Sequence, residues 1–469
     1  MLMSNKGLRQ GVLNKRETLF QGVAASAPAG AAVATMTGAA GYALGALPLA
    51  ALIAFFVVLL NAYIIKRISN KLAGAGGYYD YTKVAFGPVV GAFTGWMYLL
   101  YQIFAMAFIA LSISVFVPAL LTTVFNITIP SYTWLPLLAG TMLFGYYVSV
   151  VGIKQSLRYA MVMGTLEILV VVVISFVIIL SHPSINTAQV FTTKYAAGGL
   201  SGVMLGVLFM YTSFSGFGTM TPLGEEAKDG KKMVGTTIVY SAIILGGFFV
   251  FAAYAFTVGW GPLNMLSYAS NLVPGIILTK SDLGVVGAIV ITVFYINSIL
   301  TDIAVFFNSS SRVTMSLARN NILPNVLTSI HHKHQTPHIS AAAMGIAAFL
   351  VAAIGTVVLG GGGFNIFLVT GIVSTLPALL VHAIANAALP KLNKMDSNKY
   401  GALNIVLPII AIVILGFVFY GTFISISYTV ILGSVIFLIW VVVGIVLSIV
   451  RKKNYVVDPE FSKLAAGQE

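Results

Sequence analysis

Two carboxylates of this sequence lie inside long apolar runs, where an ionisable side chain is costly. Glu167 precedes "ILVVVVI", and Asp302 lies in "SILTDIAVFF". A charge at the centre of a membrane helix costs roughly 2.5–3.5 kcal/mol on insertion scales. A carboxyl at such depth can bind a proton in one state and release it in another, or pair with a cation. Two structural alternatives stay open: a neutral Glu167 bonded to a neighbouring helix, and an Asp302 that braces helices.

Two other apolar runs are interrupted near their middle by Gly, Ser and Pro. The interruptions are "SAPAGAAVA" (26–34) in the first run and "SFSGFG" (213–218) in the sixth. Pro28 has no N–H and its ring clashes with the preceding turn, so it ends one helical segment and suits the start of the next. Inside a membrane such a break leaves backbone groups that water cannot satisfy. Each break therefore predicts a local binding function.

The elements that position these residues must be membrane helices. The chain has 469 residues, of which 59% are hydrophobic and 8% charged, with a mean hydropathy of +0.98; a soluble domain carries about a quarter charged residues. We therefore predict an all-α integral membrane protein. The runs long enough to cross roughly 30 Å of hydrocarbon number twelve: 19–44, 46–68, 84–118, 133–152, 156–181, 199–228, 234–258, 283–318, 339–359, 364–388, 403–424 and 427–450.

The net charge of +13 is distributed as in a membrane protein rather than a nucleic-acid-binding protein. With twelve spans and a cytosolic N-terminus, 23 of the 25 Lys and Arg residues lie on the cytosolic side, and Lys194 and Lys280 lie outside. This positive-inside pattern predicts cytosolic segments at 1–18 and 451–469 of a multi-pass protein of the cell membrane. The basic start leads into a full-length span, so no cleaved signal peptide is expected. The absence of cysteine excludes disulfides and Cys-ligated metals.

The two interrupted spans are predicted to be antiparallel, because five crossings separate them. This is the pattern of an inverted repeat of five plus five helices, with discontinuous helices 1 and 6 whose ends meet near the midplane. It predicts a ten-helix core at 19–388 and two additional helices at 403–450. The alternative is that Gly and Pro are simply common in membrane helices.

Four segments resemble the amino acid, polyamine and organocation permeases, which have the leucine-transporter fold. They are "SFSGFGTMTPLGEEAKDGKKMV" (213–234), "AGAGGYYDYTKVAFGP" (73–88), "GIKQSLR" (152–158) and "SLARNNILPNVLTSIHHKHQTP" (316–337). The resemblance implies a secondary active transporter, a symporter that moves amino acids by alternating access. It implies a small-molecule substrate, no cofactor and no enzymatic activity; the oligomeric state stays open. The chain departs from the family in span 1, where Ala-Pro-Ala-Gly replaces a Gly-rich break.

For an amino acid substrate, the breaks suggest which groups bind its charged ends. The N–H groups of Ala29, Gly30 and Ala31 begin a half-helix, which suits a carboxylate. The resemblance assigns the ammonium to carbonyls at the ends of the first half-helices. The candidate groups are the carbonyls of Ser26, Thr212 and Ser215, with Phe214, Phe217, Tyr98, Gln102 and Phe306 as walls of the side-chain pocket. Asp302 lies one turn before Phe306; if that face lines the pocket, it pairs with a cationic side chain or a polyamine.

Protons are the expected coupling ion, and sodium is the alternative. Some proton-coupled members of the family that this chain resembles have a lysine near the position of Glu167. In those proteins the lysine takes the role of a bound cation. The sodium site of the fold uses span 1 carbonyls and span 8 hydroxyls, for which "NSSSR" offers Ser309 and Ser310 with Ser311. The choice between neutral amino acids and cationic amino acids or polyamines stays open.

The remaining sequence features do not favour a class of protein other than a transporter. A channel needs a continuous polar pore, a nutrient receptor adds a soluble domain, and an intramembrane enzyme needs a catalytic motif; the sequence shows none of these. "HHKHQTPH" (331–338) is interpreted as a basic cytosolic loop, with a metal site or a proton-responsive loop as alternatives. Glu225 and Glu226 are interpreted as solvated charges, with a contribution to an inner gate as the alternative.

Overall fold

The structure, a computed structural model, describes residues 7–395, 401–424 and 427–450. The predicted tail 451–469 and residues 1–6 lie outside the described residues. Within them the chain forms helices, turns and one isolated β-bridge between Leu13 and Ala227. The α-helices are α1 (Lys15–Ala24), α2 (Pro28–Gly30), α3 (Met36–Ala43), α4 (Leu47–Ser69), α5 (Tyr78–Phe86), α6 (Pro88–Phe125), α7 (Trp134–Val151), α8 (Ile153–Ser181), α9 (Leu200–Ser213), α10 (Gly230–Trp260), α11 (Met265–Ala269), α12 (Pro274–Arg319), α13 (His338–Leu359), α14 (Phe364–Lys394), α15 (Leu403–Gly421) and α16 (Tyr428–Val450).

Eleven helical stretches of the described residues are long and apolar enough to cross a membrane. Predicted spans 2 to 12 each overlap one of them, which confirms the all-helical membrane class. The predicted first span, 19–44, does not form one continuous helix, because α1 ends at Ala24 and α2 begins at Pro28. Its part after the break, α3, counts with α4 as a single stretch, Met36–Ser69. Apolar length thus predicted the positions of these helices, and the number of twelve crossings stays a prediction.

Local signals set where the first helices begin. Asn14 caps α1: its side chain accepts a hydrogen bond from the Glu17 N–H (3.0 Å), and the Glu17 carboxylate accepts one from the Asn14 N–H (2.9 Å). This capping box satisfies two donors that a helix end leaves free. Between α5 and α6, Gly87 has φ +91°, a conformation that favours glycine, and it allows the chain to turn directly into α6.

Two helices are longer than a bilayer requires. α6 has 38 residues and α12 has 46, whereas about 20 suffice to cross. α12 is two helices joined at Gly284, whose φ of 68° and ψ of −167° are not helical. The part after Gly284, residues 285–319, is by itself still longer than a bilayer requires.

The second half of α12 is the centre of the bundle. Nearly every residue from Asn297 to Ala318 is buried. α12 packs against α6, α7, α8 and α13, and against the short helix α2 after the first break. A helix buried on all sides places polar side chains against several neighbours at once, and this arrangement positions the site.

Candidate functional site

The first break comprises Ala25, Ser26 and Ala27. Ala27 adopts a left-handed conformation with φ 39° and ψ 65°, which L-residues adopt only at an energetic cost. Pro28 is then the first residue of α2, the position where its missing N–H costs least. The chain therefore restarts as a helix at the residue that the sequence predicts.

Three N–H groups follow Pro28, and they have different partners. The Ala31 N–H donates to the Ala27 carbonyl (2.7 Å). The Gly30 N–H donates to the hydroxyl oxygen of Ser298 in α12 (3.1 Å). The Ala29 N–H makes no hydrogen bond among the described residues, and Ala29 is fully buried. Of the three N–H donors predicted to bind a carboxylate, that of Ala29 has no hydrogen bond among the described residues. That of Gly30 is bonded to a serine side chain, which can change its rotamer.

The second break begins where α9 ends at Ser213. Phe214 caps α9, and two 3-10 segments follow, Ser215–Gly218 and Thr221–Leu223. The second half of span 6 is thus a series of tight turns rather than an α-helix. The hydroxyl of Thr212 donates to the Phe209 carbonyl (2.6 Å), so it does not point into the break. The side chain of Ser215 lies outside the described part of the structure.

The two breaks touch each other. A Cβ added to Gly216 would lie 1.6 Å from the Ala25 carbonyl oxygen, so only glycine allows this approach. The Thr219 hydroxyl donates to the Gln21 carbonyl (3.3 Å), and the Gln21 amide donates to the Val305 carbonyl of α12 (2.7 Å). Span 1, span 6 and α12 therefore meet in the protein centre through backbone contacts.

A cluster of buried rings lies beside the breaks. Tyr98 packs between Tyr78 (5.3 Å) and Tyr101 (5.9 Å), and Tyr101 contacts Phe306 (6.0 Å). Burial, followed by the charges of neighbouring tyrosines, raises the pKa of Tyr78 well above its usual value, so this residue of α5 stays neutral. The predicted wall residues Tyr98 and Phe306 thus belong to one aromatic cluster.

The two phenylalanines of the second break face different neighbours. The Phe217 ring lies 5.2 Å from the ring of His382 in α14, and His382 Nδ1 bonds to the Tyr211 hydroxyl (2.9 Å). Phe214 instead packs against Phe249 of α10 (4.9 Å), away from the aromatic cluster. His382 was not among the predicted site residues, although a histidine within a predicted span is itself a signal of function.

Gln102 and Ser309, predicted for different roles, bind each other. The Gln102 amide nitrogen donates to the Ser309 hydroxyl oxygen (2.9 Å). The Ser310 hydroxyl lies 3.4 Å from the Phe307 carbonyl and 3.5 Å from the Met106 sulfur. Both serines are fully buried. The hydroxyls predicted for a sodium site are thus engaged with protein groups in this conformation.

The two carboxylates within spans lie close together. Glu167 of α8 is fully buried, and Ser298, Asn297 and Asp302 of α12 are the polar groups that act on its carboxyl. Neither oxygen of Glu167 makes a hydrogen bond of normal geometry, nor does Oδ1 of Asp302. Asp302, predicted to share a face with Phe306, neighbours Glu167, whereas Phe306 contacts the aromatic cluster.

A buried ion pair that was not predicted from the sequence lies near Leu13, between Arg312 and Glu226. Arg312 donates to both carboxylate oxygens of Glu226, at 2.6 and 3.1 Å, and both side chains are almost fully buried. The N–H of Leu13 donates to the Glu226 carbonyl (3.0 Å). Glu226 is therefore not a solvated charge, in contrast to Glu225, whose pair with Arg319 is about one-third exposed. An arginine within a predicted span was the available signal.

The histidines of loop 331–338 stack on one another without forming a metal site. His331 lies within 5.3 Å of the rings of three neighbouring histidines. Among the residues described, no three His, Asp or Glu side chains are grouped as metal ligands would be. Burial, followed by the positive charges of these histidines and of Lys333, lowers the pKa of His331. Arg9 bonds to Gln335 and to the Lys333 carbonyl of the same loop.

Apolar crossing helices, two breaks in contact and buried polar groups around them define a membrane transport protein. The chain belongs to the amino acid permease family, whose model matches residues 17–451. It is 23% identical to the low-affinity putrescine importer PlaP of Escherichia coli over 65% of this chain and 67% of that protein. It is 22% identical to the branched-chain amino acid permease BcaP of Bacillus subtilis (71% and 72% covered) and 23% identical to a methylthioribose transporter of that organism (68% and 70%).

Proposed function

We propose that this chain is a secondary active transporter that carries amino acids across the cell membrane by alternating access. The contact between the two breaks carries the proposal: Gly216 lies against the Ala25 carbonyl, next to the open N–H of Ala29. Backbone groups at helix ends hold an ionic solute where no water is available. The distribution of Lys and Arg supports cytosolic termini.

The proposed architecture has twelve crossings in two inverted halves. Residues 19–388 form the ten-helix core, 403–450 the two additional helices, and 1–18 and 451–469 the cytosolic ends. The presence of two broken spans separated by five predicted crossings supports this assignment, since such a pair of breaks is what an inverted repeat produces.

The proposed substrate is a neutral amino acid. Its carboxylate binds at Ala29 and Gly30, and its ammonium binds the carbonyls of Ser26, Thr212 and Ser215. The aromatic cluster with Phe217 and His382 faces the side chain. The position of Asp302 beside Glu167 rather than in the aromatic cluster supports a neutral side chain.

A cationic amino acid or a polyamine is the second candidate. The relative named as a putrescine importer favours it, and tyrosine rings bind amines through cation–π contacts worth about 0.5–2 kcal/mol. The hydroxyls of Tyr78 and Tyr98 are buried and make no hydrogen bond of normal geometry among the described residues, so they are candidate acceptors for such an amine.

Coupling to protons through Glu167 is proposed over coupling to sodium. A buried carboxyl without hydrogen bonds suits reversible proton binding. The sodium alternative needs Ser309 and Ser310, and both hydroxyls already contact protein groups.

The test uses purified protein in detergent and in liposomes. Leucine, isoleucine, arginine and putrescine are compared in a thermal-shift panel, since a ligand that binds the folded state raises its apparent stability. Uptake of each is then measured under a pH gradient and, separately, under a sodium gradient. We expect stabilisation by leucine or isoleucine and uptake driven by protons, lost in Glu167→Gln.

Other results of these experiments would contradict individual parts of the proposed function. Stabilisation by putrescine or arginine alone would replace the neutral substrate by the cationic one. Accumulation driven by sodium and indifferent to pH would exclude proton coupling, and absence of uptake under both gradients, for ligands that bind, would contradict secondary active transport.

A further inference from the structure

The polar surroundings of Glu167 come from two helices, α12 and its own helix α8, where the Tyr159 hydroxyl interacts with its carboxylate. Asn297 and Ser298 of α12 are the hydrogen-bonding groups that act on its carboxyl, and Asp302 adds a second carboxylate. No basic side chain among the described residues acts on either acid. Two ionised carboxylates here would therefore lack a positively charged partner among the described residues.

The orientation of Asn297 is fixed by a residue of α8. The Tyr159 hydroxyl donates to Asn297 Oδ1 (3.0 Å), so the amide nitrogen points the other way. That nitrogen is buried, in a residue that is 7% exposed, and it makes no hydrogen bond of normal geometry within the described part of the chain. An unpaired buried N–H group costs about 1–3 kcal/mol. The amide is thus a donor held ready for Glu167.

Ser298 joins the carboxylates to the first break. Its oxygen accepts the hydrogen bond from the Gly30 N–H, which leaves its own hydrogen to donate to Glu167. Asp302 follows Ser298 by four residues and lies on the same face of α12. Asp302 keeps 6% of its surface exposed whereas Glu167 keeps none. Asp302 is therefore the member of the pair through which a proton would enter.

We propose that Glu167 and Asp302 form a single site that binds one exchangeable proton between them, with Asp302 as the second coupling residue rather than a substrate ligand. The proposal rests on the proposed role of Glu167 in proton coupling. Two ionised carboxylates side by side in a poorly hydrated interior repel each other, and one shared proton removes one of the two charges. The Asn297 amide and the Ser298 hydroxyl then hold the remaining charge.

The site also shares an atom with the proposed substrate site. Ser298 Oγ holds the Gly30 N–H, one of the donors proposed for the substrate carboxylate. When the pair loses its proton, Ser298 turns its hydroxyl toward the second charge and its hold on Gly30 changes. Proton and substrate occupancy are thus linked through one hydroxyl, and the linkage acts in both directions.

The experiment compares Glu167→Gln, Asp302→Asn and the double variant in liposomes, with leucine as the transported probe. Asp282→Asn is the matched control, because Asp282 is another carboxylate of α12, paired with His182 at the far end of the helix. We expect accumulation driven by a pH gradient to fall about tenfold in each single variant. The double variant should be no worse than either single one, and the control should match the original chain.

The results distinguish failure of the shared Glu167–Asp302 site from failure of proton coupling through Glu167. Loss of coupling in Glu167→Gln with full coupling in Asp302→Asn overturns the shared site and leaves the coupling role of Glu167 intact. Full coupling in both overturns both. Additive losses in the double variant show two independent sites and overturn the pair.

A second variant covers the case in which Asp302→Asn does not fold. Asp302→Glu keeps a carboxylate but moves it by one methylene. A shared site predicts that the pH midpoint of uptake shifts in this variant and not in Asp282→Glu. An unshifted midpoint overturns the proposal.

Discussion

Removing the carboxylate of Glu226 should open the end of the bundle that we propose to be cytosolic. Glu226→Gln leaves the guanidinium of Arg312 buried, with the Asn308 carbonyl (3.1 Å) and the Ser311 hydroxyl (3.3 Å) as remaining acceptors. Breaking a buried ion pair by removing one partner costs about 3–5 kcal/mol. Because Arg312 keeps two acceptors and the glutamine amide has nearly the shape of the carboxylate, we expect a cost near 3 kcal/mol, the lower end of this range.

The neighbouring pair provides a matched control. Glu225 bonds to Arg319 at 3.1 Å, with both side chains about one-third exposed. Exposed pairs contribute about 0–1 kcal/mol. We assume that the Arg312–Glu226 pair forms only when this end of the bundle is closed to water. A destabilisation of the closed conformation by about 3 kcal/mol then lowers the equilibrium constant for closing more than a hundredfold.

The absence of cysteine makes the assay direct, since one introduced thiol is the sole labelling site. Thr219→Cys places it at a buried position of the second break, and a membrane-impermeant maleimide is applied to inside-out vesicles. We expect Glu226→Gln to accelerate labelling about a hundredfold and Glu225→Gln to leave it within a few-fold. Equal rates in the two variants, or a lower melting temperature without faster labelling, would refute the reasoning: the pair would then support the fold without sealing this end.

Three further predictions concern two close contacts and one titrating loop. Gly216→Ala places a Cβ 1.6 Å from the Ala25 carbonyl oxygen; overpacking costs about 1–3 kcal/mol, so uptake in liposomes should be lost, and unchanged uptake would contradict the contact. A Cβ on Gly218 would lie 2.0 Å from the Tyr78 hydroxyl, so Tyr78→Phe should restore part of the melting temperature lost in Gly218→Ala; a double variant no more stable than the single one would count against this geometry. The pKa of His331 is lowered by burial and by neighbouring positive charges; because the unfolded chain then binds the proton more readily, stability falls as the pH drops below about 6.5. His331→Gln should flatten that fall in melting temperature, and superimposable pH profiles would refute it.

The class of protein and the positions of the two helix breaks could be predicted from the amino-acid sequence alone. Apolar runs long enough to cross a bilayer predicted the crossing segments, because a helix made of such a run pairs all its backbone groups within itself in lipid. Pro28 predicted the start of a helix because its fixed φ and missing N–H suit only the first turn of a helix. The four segments that resemble known permeases predicted the family, which the match over residues 17–451 confirms.

Which polar groups contact one another could not be predicted without the folded structure. Asp302 and Phe306 share a face by spacing, yet one neighbours Glu167 and the other contacts Tyr101. Periodicity distinguishes faces where one side of a helix meets a different environment, and the central part of α12 is buried on all sides.

Pairings between distant parts of the chain were equally beyond the sequence. Glu226 stands in a charged segment that indicates solvent, but Arg312, remote in sequence, binds it in the interior. Gln102 binds Ser309 in the same way. Such contacts depend on how the helices pack against one another, which the local amino-acid composition does not determine. The hydrophobic pattern of the chain therefore predicts the helices, whereas their packing determines which polar groups contact one another in the protein centre.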